Sequence, residues 1–138
     1  MSEGMDKPFC AFSTPAGVSG IAVIRLSGEG ACAVADKVLK IVRTFGDYKT
    51  LLEMPGYTCA FGHVFDSVTN NEIDDVVVTK FVPPYSYTGD ELIEISCHGG
   101  SIVKQEIWKG MGTQFDPLFG KIMIALIDAD VNYEMREI

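Results

Sequence analysis

Two charged residues interrupt otherwise apolar runs of this 138-residue chain: Arg25 within Ile-Ala-Val-Ile-Arg-Leu and Glu94 within Glu-Leu-Ile-Glu-Ile-Ser-Cys. Both runs have the β-branched content of strands. Strand alternation puts Arg25 on one face with Ile21 and Val23, and Glu94 with Leu92 and Ser96. A charge in a half-buried strand is costly unless it is paired or hydrogen-bonded. Two readings follow. The charges point to solvent or pair as a structural bridge, or they form a polar pocket. In such a pocket a carboxylate accepts parallel N–H bonds from an amidine-like heterocycle edge, while an arginine binds an anionic or carbonyl group.

Other reactive residue types assemble less well. Cys97-His98 has the elements of a thiolate–imidazole pair, but adjacent strand residues face opposite ways and no third orienting residue is identifiable. No catalytic residue is assigned, and a thiol enzyme using Cys97 is a weak third reading. Cys10, Cys32, Cys59 and Cys97 form no CxxC pair. Cys59 and His63 are four apart in a strand-like stretch, where that spacing separates ligands, so no metal site is expected. Thr14-Pro15-Ala16-Gly17-Val18-Ser19-Gly20 precedes a strand rather than a helix, and GxxxxGK[ST] is missing. A phosphate cradle is unsupported, which argues against GTP or ATP binding by this chain.

Composition narrows the classes. Nineteen acidic against eleven basic residues give a net charge of −8, the wrong sign for autonomous nucleic-acid binding. No apolar run approaches the roughly 20 residues of a membrane span. The start, Met-Ser-Glu-Gly-Met-Asp-Lys-Pro-Phe, lacks the basic and apolar regions of a secretion signal, so a cytoplasmic location is expected.

The elements that must position Arg25 and Glu94 are legible in outline. Phe9 to Ser13 is a short apolar run and Ile21 to Leu26 a buried-type strand. Gly30 to Val42 has helical periodicity, with Ala31, Val34, Ala35, Val38, Ile41 and Val42 in one stripe. Residues 43 to 56 read as a connection. Tyr57 to Asp66 alternates, with Tyr57, Cys59, Phe61, His63 and Phe65 on one face. Thr69-Asn70-Asn71 supplies a hairpin turn into a central strand over Asp75 to Val82, which Pro83-Pro84 ends. Glu91 to Cys97 is a further strand, followed by a helix from about Ser101. The pattern predicts a single α/β (α+β) domain with a mixed β-sheet and flanking helices.

Three blocks carry a family resemblance: STPAGVSGIAVIRLSG (Ser13 to Gly28), YTCAFGHVFD (Tyr57 to Asp66) and PYSYTGDELIEISCHGG (Pro84 to Gly100). In order and spacing they resemble the N-terminal, tetrahydrofolate-binding-like domain of the tRNA-modification GTPases MnmE/TrmE. The resemblance covers about residues 8 to 107, so 1–107 is expected to be the TrmE N-terminal-like domain and 108–138 a divergent or truncated segment. It implies a homodimer that binds 5-formyl-tetrahydrofolate or a related folate near the dimer contact. It assigns folate contacts to Arg25 and Glu94.

In that family the full enzyme works with the flavoprotein MnmG (GidA) on the wobble uridine of certain tRNAs. A G domain uses GTP, Mg and potassium. This sequence lacks the G-domain motif and the family's C-terminal cysteine motif. After about Ile107 it departs from the expected PGEFTxRAFLNGKxD segment, the source of a further folate-contacting lysine. Gly120-Lys121 is a faint echo of that segment. The expectation is a folate-binding and dimerisation domain without catalysis of its own, reaching tRNA only through the full complex. The alternative is a protein-interaction module with no ligand.

Overall fold

A computed structural model of the chain describes residues 8–14, 17–100, 102–104, 106 and 107. The expected segment 108–138 lies outside the described residues. Among the described residues the main elements follow in the order β1 (Phe9–Phe12), β2 (Ser19–Ser27), α1 (Ala31–Asp36), β3 (Leu39–Thr44), β4 (Cys59–Phe65), β5 (Glu72–Phe81) and β6 (Leu92–Gly99). The strands form one sheet in the order β1-β2-β6-β5-β4-β3. The α+β class stands. Every pairing is antiparallel, where a mixture was expected. Alternation in a sequence reports which face a residue takes, not which strand lies beside it.

The sheet is packed on one side. Ala22, Ile24 and Leu26 of β2, Ala60 and Val64 of β4, Val76 and Val78 of β5, and Ile93, Ile95 and Cys97 of β6 turn inward. There they meet Ala31, Cys32 and Ala35 of α1, with Leu51, Met54 and Ile107. Such one-sided burial is what an antiparallel sheet permits. The aromatic and polar residues between these positions form the opposite, outer face.

The predicted helix over Gly30 to Val42 is corrected: it ends at Asp36, and Leu39 to Thr44 pairs with β4. Three effects stop the helix. Lys37 and Val38 bond back to Val34 and Ala35 in a tightened last turn. The Asp36 carboxylate accepts the amides of Leu51 and Leu52 at 2.8 and 3.3 Å, pinning that end. Beyond it, β-branched Val38, Ile41, Val42 and Thr44 favour a strand once β4 offers a ladder. At the other end Gly30 has no side-chain cap of its own. Its amide donates instead to Glu91 Oε2 at 2.8 Å.

The hairpin lies where expected: Asp66 accepts the amides of Val68 and Thr69, and Asn70 takes φ 62°. Residues 102–104, 106 and 107 are helical, with the Lys104 ammonium donating to the Gly17 carbonyl. Gly99 explains part of the Cys-His-Gly-Gly ending. A Cβ there would overlap the backbone carbonyl and hydroxyl of Ser19, so only glycine lets β6 close on the start of β2.

Candidate functional site

The outer face is organised in rows that cross the sheet. One row runs from Ala11 through Arg25, Glu94 and Thr79 to Cys59, each opposite the next on the neighbouring strand. A second carries Val23, Ser96, Val77 and Phe61. Toward the far end, Ile21 lies opposite His98, and His63 lies between Lys40 and Asp75. Polar, mainly apolar and polar rows thus succeed one another at about 7 Å, two residues of strand.

Arg25 and Glu94 are direct cross-strand neighbours, and Arg25 Nε donates to Glu94 Oε1 at 2.8 Å. Their side chains are 34% and 20% exposed, so the pair is reachable from solvent. The bridge reading of these charges is therefore realised. It leaves capacity over: among the described residues no other hydrogen bond engages the Arg25 Nη groups or Glu94 Oε2. A guanidinium has five N–H donors and a carboxylate about four acceptor positions.

Aromatic rings that sequence reasoning missed border this pair. The Tyr87 ring stacks on the Arg25 guanidinium, 4.3 Å from Cζ to the ring centroid. Phe81 meets Tyr87 at 6.0 Å and Tyr57 at 6.1 Å, both edge-on. Thr88 touches Ser27 hydroxyl to hydroxyl at 2.7 Å, bringing the Ser86-Tyr87-Thr88-Gly89 turn over the end of β2. The signal available beforehand was that turn's aromatic content; its seat on Arg25 depends on a pairing 69 residues apart.

The remaining candidates behave as their strand positions dictate. Cys97 faces the core, where burial, aided by the charge of Asp74, pushes its thiol up to about 11. His98 turns outward, and Asp74 accepts both its backbone amide at 2.8 Å and its Nδ1 at 2.6 Å. Cys97 and His98 thus lie on opposite faces of the sheet. Burial also raises Cys10 and Cys32 to about 12. Cys59 is exposed and lies 3.3 Å from the Thr79 hydroxyl.

Donor atoms of His63, Glu72 and Asp75 lie within 4.8 Å of one another. His63 Nδ1 and Asp75 Oδ1 already form a 2.6 Å contact, and Lys40 and Lys49 line the adjoining cavity of about 380 Å³. That arrangement is a local cluster of polar side chains. A shallower trough of about 300 Å³ lies along Ile21, Phe61, Val77, Ser96 and His98.

Comparison with known proteins decides the family. The model described as "GTP-binding protein TrmE N-terminus" matches residues 8–117, well over half of the chain. The chain belongs to the TrmE N-terminal family. It is 38% identical over 97 residues to the tRNA modification GTPase MnmE of Lactobacillus johnsonii, covering 70% of this chain and 20% of that protein. The MnmE of Ligilactobacillus salivarius is 39% identical over 97 residues, with 70% and 19% covered. That of Chlorobium phaeobacteroides is 38% identical over 100 residues, with 72% and 20% covered. The chain therefore spans about a fifth of the length of the curated relatives it matches. No helix among the described residues is long and apolar enough to cross a membrane.

Proposed function

We propose that this chain is the folate-binding and dimerisation part of a tRNA-modification GTPase system, with Arg25 and Glu94 as the cofactor-reading pair. The observation that carries the reading is the 2.8 Å Arg25–Glu94 contact on the open face, with unused donors and an unused acceptor beside an aromatic ring. These groups fit a folate head. Its pterin presents N–H donors next to ring nitrogens and a carbonyl; Glu94 accepts from the former and the Arg25 Nη groups donate to the latter. Tyr87 and Phe81 supply the apolar flank that a flat heterocycle needs. When bound, 5-formyl-tetrahydrofolate would supply one-carbon chemistry to the complete enzyme. This chain's residues bind and orient it.

Dimerisation finds support on the same face. Ile21, Phe61 and Val77 are exposed large apolar residues grouped beside the polar row, the kind of patch that association covers. GTP with its Mg and potassium, the MnmG-type flavoprotein and tRNA belong in this proposal to the complete protein, of which the chain matches one fifth.

Calorimetric titration of 5-formyl-tetrahydrofolate into the 138-residue chain, beside Glu94→Gln, tests the cofactor reading. Saturable heat that the variant loses supports it; equal heats from both would remove Glu94 from the site. The apolar patch favours one second reading, an interaction module without ligand. A sedimentation coefficient that rises with protein concentration, with no heat from folate, would select that module.

A further inference from the structure

Tyr57 has φ 64°. This left-handed conformation is strained for a bulky residue and persists only where the surroundings hold it. The Tyr57 amide donates to the Lys80 carbonyl at 2.6 Å. Its hydroxyl lies 2.8 Å from the Tyr85 carbonyl and 3.3 Å from that of Val82. Its ring rests edge-on against Phe81. The turn just before β4 thus aims this side chain across the end of β5 at the segment that carries Tyr87.

That segment has little burial to hold it, since Tyr85 and Tyr87 are 78% and 73% exposed. Hydrogen bonds must fix it instead. On the β2 side the anchor is the Ser27–Thr88 contact; on the β4 side it is the Tyr57 hydroxyl.

We propose that Tyr57 is a positioning residue for the Arg25–Glu94 site. By donating its one proton mainly to the Tyr85 carbonyl, with the Val82 carbonyl alongside, its hydroxyl seats the Tyr87 ring on the Arg25 guanidinium and keeps that group aimed at Glu94. The strain at Tyr57 is the cost of this aim. The inference rests on the folate reading for its binding measurement alone; the clamp itself is measurable without ligand.

Tyr57→Phe removes the two hydroxyl contacts and keeps the ring and backbone. Amide hydrogen exchange over residues 85–89 is expected to rise about tenfold while amides of β4 and β5 stay unchanged, the scale of one lost hydrogen bond in a local opening. Folate affinity should fall about tenfold with it. In a Tyr87→Leu background the same change should cost no further affinity, because Tyr57 acts through Tyr87. A merely structural effect would add in full. Unchanged exchange in the segment, or full additivity in the cycle, overturns the proposal. Should the unmodified chain bind no folate, the cofactor reading falls, and the exchange measurement decides the clamp alone.

Discussion

Lys80 and Arg25 are both cations in apolar strands, on opposite faces of one sheet, and they use their donors in opposite ways. Lys80 points inward and is 8% exposed. Its ammonium donates to the carbonyls of Leu51, Leu52 and Met54 at 2.7, 3.3 and 2.8 Å. All three of its protons are committed to its own chain. Arg25 points outward and commits one N–H, to Glu94. A satisfied buried charge is architecture: it staples the 50–54 turn to the sheet. A partly satisfied charge at a reachable surface has recognition capacity left, so position in the sheet separates the two roles.

The largest expected effect is on the inner side. Lys80→Met should lower unfolding free energy by about 3 kcal/mol, since three carbonyls lose their partner together. A urea midpoint within error of the unmodified chain would break the contrast. Next comes Glu94→Gln, which should weaken folate binding by about tenfold or more, the scale of a charged hydrogen bond. Calorimetry reads that loss.

Thiols sharpen the comparison between faces. Cys10, Cys32 and Cys97 are buried with raised pKa values of about 11 to 12 against an ordinary 9.0. Below pH 9 both folded and unfolded chains keep these protons. As pH rises toward 12 the unfolded chain releases them first and so binds fewer protons than the folded one. Stability therefore falls with rising pH across that window. Urea midpoints measured from pH 8 to 11 should decline, and Cys97→Ala should flatten the decline. Under native conditions iodoacetamide should modify Cys59 alone, with the other three thiols reacting only in denaturant. The smallest effect belongs to Arg25→Gln. With a third of that side chain exposed, unfolding free energy should drop by less than about 1 kcal/mol.

The sequence betrayed Arg25 and Glu94 because each breaks an apolar run at a position whose face alternation defines. Lys80 gives the same signal inside Asp-Val-Val-Val-Thr-Lys-Phe-Val, but nothing local announces the three carbonyls waiting 26 to 29 residues upstream. The stripe from Ala31 to Val42 satisfied a helical period and yet divided into a helix and a strand. Short apolar runs support either period, and pairing with β4 settled the matter. Tyr57 reads as the first residue of the alternating strand, yet β4 begins only at Cys59, and the seat of Tyr87 has no local signal. One depends on a left-handed backbone that a tyrosine does not signal, the other on a turn folding over a strand 61 residues away. Faces, turns and one-sided burial are local properties; neighbours in the sheet and the walls of the site are not.

The strand order has a bearing on how the molecule comes into being. Among the described residues β6 is the last strand in sequence, but it lies near the middle of the sheet, between β2 and β5. During synthesis from the N-terminus, β1–β2 and β3–β4–β5 can each form a small antiparallel ribbon early. Both then expose an open edge until Leu92–Gly99 has left the ribosome and slots between them. Arg25 waits on one ribbon and Thr79 on the other, and Glu94 arrives with the strand that unites them. The Arg25–Glu94 row of the outer face is therefore the last part of this sheet to exist, and any nascent chain that stalls before Gly99 is one without it.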